Sequence, residues 1–325
     1  MEVREFGRTG MRFSRLGYGA GAVGGLMVRG SVAEREASIG RALAAGITYF
    51  DTAPAYGNGL SETHLGQALR ALKACPFVGT KFRILPEHRG RLGAALAEGL
   101  EASLKRLGRD SVDLFQLHDH LTTAGGGNTI SQAELEGELI PAMRRLREQG
   151  KARFAGITAL GETPVLKRVV ASGEFQAAQI PFNLLNPTAL TSMPPGLPGH
   201  DFGGLMQDCA RAGVGVIGIR IIAGGALSGE VERHPTAMPA VAPIASAGSY
   251  EADVAAARRL QPLVAEGVAG SIAELALRYA LSPDEMGTAL IGTASQDQLE
   301  QAIAAAEKGP LSAETIARAR ALLAG

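Results

Sequence analysis

Four residues of this sequence combine type and spacing in a way that points to proton chemistry at one place. Asp51 closes the apolar run Ile47-Thr-Tyr-Phe-Asp51, and Tyr56 follows after a short proline-containing turn. Lys81 closes Phe77-Val-Gly-Thr-Lys81, and His118 closes Leu114-Phe-Gln-Leu-His118. Taken singly, each has an ordinary reading: a turn-capping carboxylate, a surface phenol, a snorkelling lysine, a satisfied core histidine. Together they differ, because charges at the ends of buried strands are costly unless they pair. A Lys81–Asp51 ion pair beside a tyrosine hydroxyl also has a chemical use. Nearby positive charge stabilises a phenolate and lowers a tyrosine pKa from about 10 toward neutral pH, so that Tyr56 could trade a proton with a carbonyl or alcohol oxygen. A Schiff base at Lys81, as in an aldolase-like lyase, is a competing use of the same lysine.

Such residues need elements to hold them. Short apolar runs end near Tyr18, Asp51, Lys81, His118, Thr158, Phe182, Ile222 and Thr293, each followed by a glycine-rich or polar turn, as buried parallel strands should be. Helices separate them: Ser31, Ser131, Ser271 and Ser295 each open a capping-box pattern, and Leu92, Leu96, Leu100 and Leu104 recur along one helix face. Eight strand–helix alternations predict a closed (β/α)₈ TIM barrel of the α/β class, with an open doubly wound sheet as the alternative. Active sites of such barrels form at the C-terminal rim, where the four residues fall. A barrel needs about 250 residues. The remainder is expected in an N-terminal β-hairpin over residues 2–14, a proline-rich loop over 193–199, a long loop from Ser228 to Ser249 and an extra C-terminal helix, Ser312–Leu323. No linker composition interrupts the chain, so residues 1–325 are read as one domain.

Composition excludes several partners. The 32 Lys and Arg cancel 32 Asp and Glu, so there is no basic surplus to displace counterions from nucleic acid or to hold an anionic membrane surface. No apolar run reaches the ~18 residues of a membrane span, and MEVREFGRTG lacks the apolar core of a signal peptide, which makes a soluble cytoplasmic protein the expectation. Cys75 and Cys209 are read as buried free thiols. The six histidines lack metal-ligand spacing, and no metal site is expected. The 43 glycines, about 13% of the chain, are nearly twice the usual share of about 7%. Six-residue Gly19-Ala-Gly21-Ala-Val-Gly24 matches a dinucleotide-binding pattern, but no helix is expected to begin at its third glycine. It is read as a glycine loop after the first barrel strand.

The stretch Phe50-Asp-Thr-Ala-Pro-Ala-Tyr-Gly-Asn-Gly-Leu-Ser-Glu-Thr-His-Leu-Gly66 closely resembles the signature of the aldo-keto reductases, and the strand ends at Lys81 and His118 fall in that family's order. The resemblance runs from Phe6-Gly-Arg-Thr-Gly10 to the eighth strand. It implies a nicotinamide-dependent oxidoreductase in which Asp51, Tyr56, Lys81 and His118 match the catalytic tetrad. By that match Tyr56 is the general acid in reduction and the base in oxidation, Lys81 tunes it, Asp51 holds Lys81, and His118 orients the substrate oxygen. A scaffold protein without turnover is disfavoured by the presence of all four.

The resemblance also implies cofactor positions. Thr158 replaces the serine that binds the carboxamide, with Ala159 where an asparagine is usual, and Gln179 matches the carboxamide-binding glutamine. Ile219 and Arg220 stand in place of the Tyr-Ser that follows strand seven, so aromatic stacking on the nicotinamide is lost or replaced by an aliphatic face. Ala223, Gly225, Leu227 and Gly229 lie in the loop over the pyrophosphate, and Gly21 of the first glycine loop is expected to face the cofactor. Gly292, Thr293, Ser295 and Gln298 form the strand-eight turn and the helix start behind it. NADP-preferring relatives carry cations at the positions of Gly292 and Gln298. Their absence here, with Asp297 adjacent, implies NAD(H) as the preferred cofactor and NADP(H) as the alternative. His118-Asp119 with Arg220 is similar to the branch that oxidises aldoses to lactones. Asp119 would accept hydrogen bonds from sugar hydroxyls, or else simply cap its loop. Pyridoxal oxidation and general aldehyde or ketone reduction are the neighbouring readings. The partner expected is thus a small carbonyl or sugar substrate, and the sequence carries no signal of oligomeric state.

Overall fold

The structure, a computed structural model, describes residues 1–192 and 198–324. An antiparallel hairpin, β1 (Val3–Glu5) with β2 (Arg12–Ser14), precedes the first barrel strand β3 (Leu16–Gly19). The barrel continues through β4 (Tyr49–Asp51), β5 (Phe77–Phe82) and β6 (Val112–Leu117). A small parallel pair, β7 (His120–Thr122) and β8 (Thr129–Ser131), decorates the rim before β9 (Ala152–Thr158), β10 (Ala177–Pro181), β11 (Gly215–Ile219) and β12 (Met286–Ile291) complete the ring. All eight barrel pairings are parallel, and β12 closes on β3 through Ala289–Leu16, Leu290–Gly17 and Ile291–Tyr18. Closure leaves no sheet edge. The open-sheet alternative is therefore ruled out.

Ser31, Ser131, Ser271 and Ser295 all accept a hydrogen bond from the backbone N–H three residues on and so open their helices. In the first two the glutamate reaches back to complete the box. The larger core lies between the barrel and its helices, where Leu92, Leu96, Leu100 and Leu104 are buried. A second core fills the barrel from below. There Phe6 and Phe13 of the hairpin stack at 4.2 Å, and Phe13 stacks on Tyr49 at 4.5 Å, among Met11, Leu114, Ala177, Ile217 and Leu290. The hairpin thus plugs the bottom of the barrel. The final helix spans Ala313–Ala324. No described helix is long and apolar enough to cross a membrane.

Several expectations need correction. Strand seven stops at Ile219 rather than Ile222, because Arg220 takes a left-handed φ of 56° that no strand continues through. The segment after it, expected as loop, coils into a short 3₁₀ stretch, Ala223–Ser228. A one-turn helix, Leu26–Arg29, closes the first glycine loop, where only loop was expected before Ser31. Cys75 is exposed, since it lies in the turn between a helix and β5, while Cys209 is buried. Most of the expected proline-rich loop, residues 193–197, falls outside the described residues.

Candidate active site

The barrel register decides which side chains share the C-terminal rim. Asp51 is the last residue of β4, Lys81 the fifth of β5, and His118 the first residue past β6. The Lys81 ammonium donates to Asp51 Oδ1, to the Thr52 carbonyl at 2.8 Å and to the Tyr56 hydroxyl at 3.4 Å. Lys81 and Asp51 are 1% and 2% exposed, so this ion pair lies almost wholly out of water. The Lys81 ammonium also sits 5.0 Å from the centre of the Tyr56 ring, and the His118 ring meets that ring edge-on at 5.7 Å. The four groups read as a constellation in the sequence are one cluster in space.

Electrostatics assign their charge states. Burial alone would push the Lys81 pKa down, but Asp51 and Tyr56 together hold it above the ordinary lysine value. It therefore remains an ammonium, which disfavours the Schiff-base reading, since imine formation needs the free amine. Burial, with Lys81 and Arg83 nearby, pushes His118 down to about 3. His118 is neutral at working pH and offers a neutral imidazole donor to a substrate oxygen.

Beneath this cluster lie Gln179 and two residues that the sequence reading passed over, Tyr49 and Gln116. Asp51 Oδ2 accepts three further hydrogen bonds: from the Tyr49 hydroxyl at 2.9 Å, from Gln116 Nε2 at 3.2 Å and from Gln179 Nε2 at 2.6 Å. Tyr49 is held protonated as a donor, because burial and then Asp51 raise its pKa well above the ordinary value. Two strand glycines make room for this layer. A Cβ at Gly79 would fall on the Tyr49 hydroxyl, and one at Gly156 would stand 2.9 Å from Gln116 Cγ. Glycine within a strand weakens it unless something must approach closely. Those two mid-strand glycines are the signal by which Tyr49 and Gln116 could have been found.

The remaining predicted positions occupy the mouth. The Thr158 hydroxyl, at the end of β9, is buried without a hydrogen-bond partner among the described residues, and so is that of Thr293. Gln179 gives its amide nitrogen to Asp51 and keeps its carbonyl oxygen as an acceptor. Gly24 packs so closely on the strand-eight turn that a Cβ would lie 2.6 Å from Thr293 N, which ties the first glycine loop to Gly292–Thr293. Gly21 lies 4.0 Å from the Tyr56 ring, measured from an ideal Cβ. Gly224, Gly225 and Gly229 have φ of 70°, 115° and 82°, and Ala223, at 45°, shares this left-handed turn. The Leu227 side chain is buried beneath it, and Ile219 is half-buried at the rim. Arg233 ties Gly224 to the long loop by donating to the Gly224 and Met238 carbonyls at 2.8 and 2.7 Å.

Two polar side chains near the mouth are engaged by their own loops. The Asp119 carboxylate accepts from Ile84 N–H at 2.7 Å and faces Arg83 at 3.7 Å, the geometry of a loop cap. Arg220 leans over Gly224 and donates to the Ala242 carbonyl at 3.4 Å, while its own carbonyl accepts from Asn183. Ser295 caps its helix through Gln298 N–H, and the Gln298 carbonyl oxygen accepts from Ala294 N–H. Among the described residues, no group of three or more His, Cys, Asp or Glu side chains is placed to hold a metal ion.

The chain and its barrel have relatives. The sequence pattern of the Aldo/keto reductase family matches residues 15–324, and the chain belongs to that family. It is 31% identical to an L-galactose dehydrogenase of Arabidopsis thaliana over 99% of this chain and 94% of that protein. It is 28% identical to a D-threo-aldose 1-dehydrogenase of a Pseudomonas species over 68% and 69% of the two chains. It is also 26% identical to an L-glyceraldehyde 3-phosphate reductase of Escherichia coli K12 over 98% and 91%. Among solved structures, an aldo-keto reductase of Bacillus halodurans in its holo form superposes with a TM-score of 0.72 at 23% identity, covering 99% and 96% of the chains, and shares the fold. The protein is thus an oxidoreductase on a (β/α)₈ barrel.

Proposed function

We propose that the protein, as a single barrel domain, moves a hydride between a nicotinamide cofactor and the carbonyl or alcohol carbon of a small substrate, with Tyr56 as the acid–base group. The observation that carries this reading is the Tyr56 hydroxyl at 3.4 Å from an ammonium locked in a buried pair with Asp51. When bound, the nicotinamide supplies or accepts the hydride. In reduction Tyr56 gives its proton to the substrate oxygen as the C=O bond becomes C–OH, and Lys81 offsets the phenolate left behind. In oxidation the phenolate removes the hydroxyl proton. His118, neutral, donates a hydrogen bond that fixes the substrate oxygen toward Tyr56.

Residues at the mouth fit the cofactor. The partnerless Thr158 hydroxyl and the Gln179 carbonyl oxygen are a donor–acceptor pair for a carboxamide. The helix start behind Ser295 presents backbone N–H groups suited to phosphates, and the glycines of the left-handed turn Ala223–Gly225 leave room for an anion to approach the backbone. NAD(H) is preferred, because Gly292 carries no charge and Gln298 is spent on capping its own turn. The substrate is an aldose oxidised at C1 to a lactone, a reading supported by the two aldose-type dehydrogenases among the relatives. Aldehyde reduction is the second reading, favoured by the reductase relative.

A spectrophotometric screen of NAD and NADP with aldoses, pyridoxal and simple aldehydes, run in both directions, tests all of this. Lactone formation with NAD is expected. Higher kcat/KM with NADP would overturn the cofactor assignment, and turnover of aldehydes alone would overturn the sugar assignment.

A further inference from the structure

We propose that Tyr49 and Gln116 are positioning residues of the reaction, which act through Asp51 to keep the proton of the buried pair on Lys81 and thereby keep Tyr56 acidic. The inference rests on Tyr56 as the acid–base group and adds the layer that sets its strength.

The physical reason lies in how a buried ion pair shares its proton. In a dry setting an ammonium and a carboxylate in direct contact can relax to a neutral amine and acid, because each isolated charge is costly there. Donors placed on the far oxygen of the carboxylate oppose that drift by stabilising the anion. Asp51 has three, all neutral: Tyr49 at 2.9 Å, Gln116 at 3.2 Å and Gln179 at 2.6 Å, from β4, β6 and β10. With Oδ2 so occupied, the negative charge is stabilised on Asp51 and the proton stays on Lys81. The full ammonium charge then faces the Tyr56 hydroxyl. Remove a donor, and the proton drifts toward Asp51, Lys81 loses charge, and the phenolate of Tyr56 loses its counter-ion.

The layer is built for this contact rather than left over from packing. Gly79 and Gly156 are buried in mid-strand, where a side chain would displace the Tyr49 hydroxyl or press on Gln116. Neither donor is accounted for by packing alone. Phenylalanine would stack on Phe13 as Tyr49 does, and Gln116 leaves its own carbonyl oxygen without a partner among the described residues while its nitrogen reaches Asp51. An unsatisfied buried acceptor is costly, and an apolar side chain would avoid it.

Composition makes the test clean. The chain has no tryptophan and five tyrosines. Burial pushes Tyr18 up to about 12, raises Tyr279, and with Asp51 raises Tyr49 well beyond its usual range. Subtracting the same titration of a Tyr56→Phe partner from the phenolate absorbance of the cofactor-free enzyme isolates Tyr56 from the other four tyrosines.

In that difference titration, Tyr49→Phe and Gln116→Met should each raise the pH of Tyr56 ionisation by roughly half a unit or more. The acidic limb of the kcat pH profile for alcohol oxidation, where the phenolate base is lost by protonation, should move with it. Thr288→Val alters a buried hydroxyl in the same barrel interior without touching Asp51 and should leave the titration in place. An unchanged or lowered Tyr56 midpoint in Tyr49→Phe, or an equal shift in Thr288→Val, would overturn the inference. If Gln116→Met fails to fold, Tyr49→Phe decides alone. Because no substrate enters the titration, its failure leaves the proposed oxidoreductase reaction standing, whereas full turnover by Tyr56→Phe would remove both.

Discussion

Tyr49 and Asp51 stand two residues apart on one strand, face the same interior, and are joined by a hydrogen bond of 2.9 Å. Period-two alternation places both inside the barrel, so the aromatic that ends the bottom packing also holds the carboxylate that starts the catalytic cluster.

Replacing Tyr56 by phenylalanine removes one hydroxyl and no packing volume. kcat should fall by about 10²–10⁴-fold, the usual worth of a positioned acid–base group. Steady-state kinetics in both directions, with the melting temperature as a control for folding, measure it. Loss of less than tenfold would place the proton donor elsewhere.

Gly79→Ala should destabilise the protein by about 1–3 kcal/mol through overpacking, since its new methyl falls on the Tyr49 hydroxyl. Combined with Tyr49→Phe it should cost less than the sum of the two single changes, because the colliding oxygen is gone. Chemical denaturation of the four proteins gives the coupling. Strict additivity would mean that the two residues do not compete for one space.

Introducing Gly292→Lys and Gln298→Arg together should shift the ratio of kcat/KM toward NADP by tenfold or more, as a charge-assisted bond to a phosphate is worth about 1.5–3 kcal/mol. Gly292 is exposed and its φ is not in the left-handed region, so lysine fits there without backbone strain. An unchanged ratio would mean that the 2′ position of the ribose lies elsewhere.

Burial, opposed by Ile84 N–H, Arg83 and Arg89, pushes the Asp119 carboxyl from 3.8 up to about 6. The folded chain therefore binds more proton than the unfolded one between roughly pH 4 and 6. The stability this group contributes is present below that window and lost as pH rises through about 6. Asp119→Asn keeps an acceptor for Ile84 and never ionises. Its melting temperature should exceed the parent's at pH 8 by an amount on the order of 1–3 °C per kcal/mol and converge on it near pH 4. A constant difference across that range would mean that Asp119 is not strained by its charge.

The barrel was legible because each of its strands is buried on both faces and so reads as an apolar run with a polar stop. Asp51 and Lys81 were legible for the same reason, as charges where an apolar strand should have none. Tyr49 and Gln116 sit within such runs, and a single polar residue on the inward face is indistinguishable by periodicity from one facing the helices. Their mark is displaced onto partners distant in sequence, Gly79 and Gly156, and becomes readable only once the register pairs the strands. Arg220 hid the end of strand seven because nothing in an arginine announces a left-handed backbone, which glycine or asparagine would have signalled. Asp119 beside His118 reads as part of the substrate site, yet its carboxylate turns back to the Ile84 amide.

The aromatic plug at the foot of the barrel has a consequence for proton supply. Phe6, Met11 and Phe13 are buried in one apolar cluster with Tyr49, and apolar side chains offer no polar atoms along which water could line up. The Lys81–Asp51 pair therefore has a dry floor. Every proton that Tyr56 gives up or regains must cross the open mouth, the same doorway that admits substrate, so refilling the acid is gated by whatever occupies that doorway.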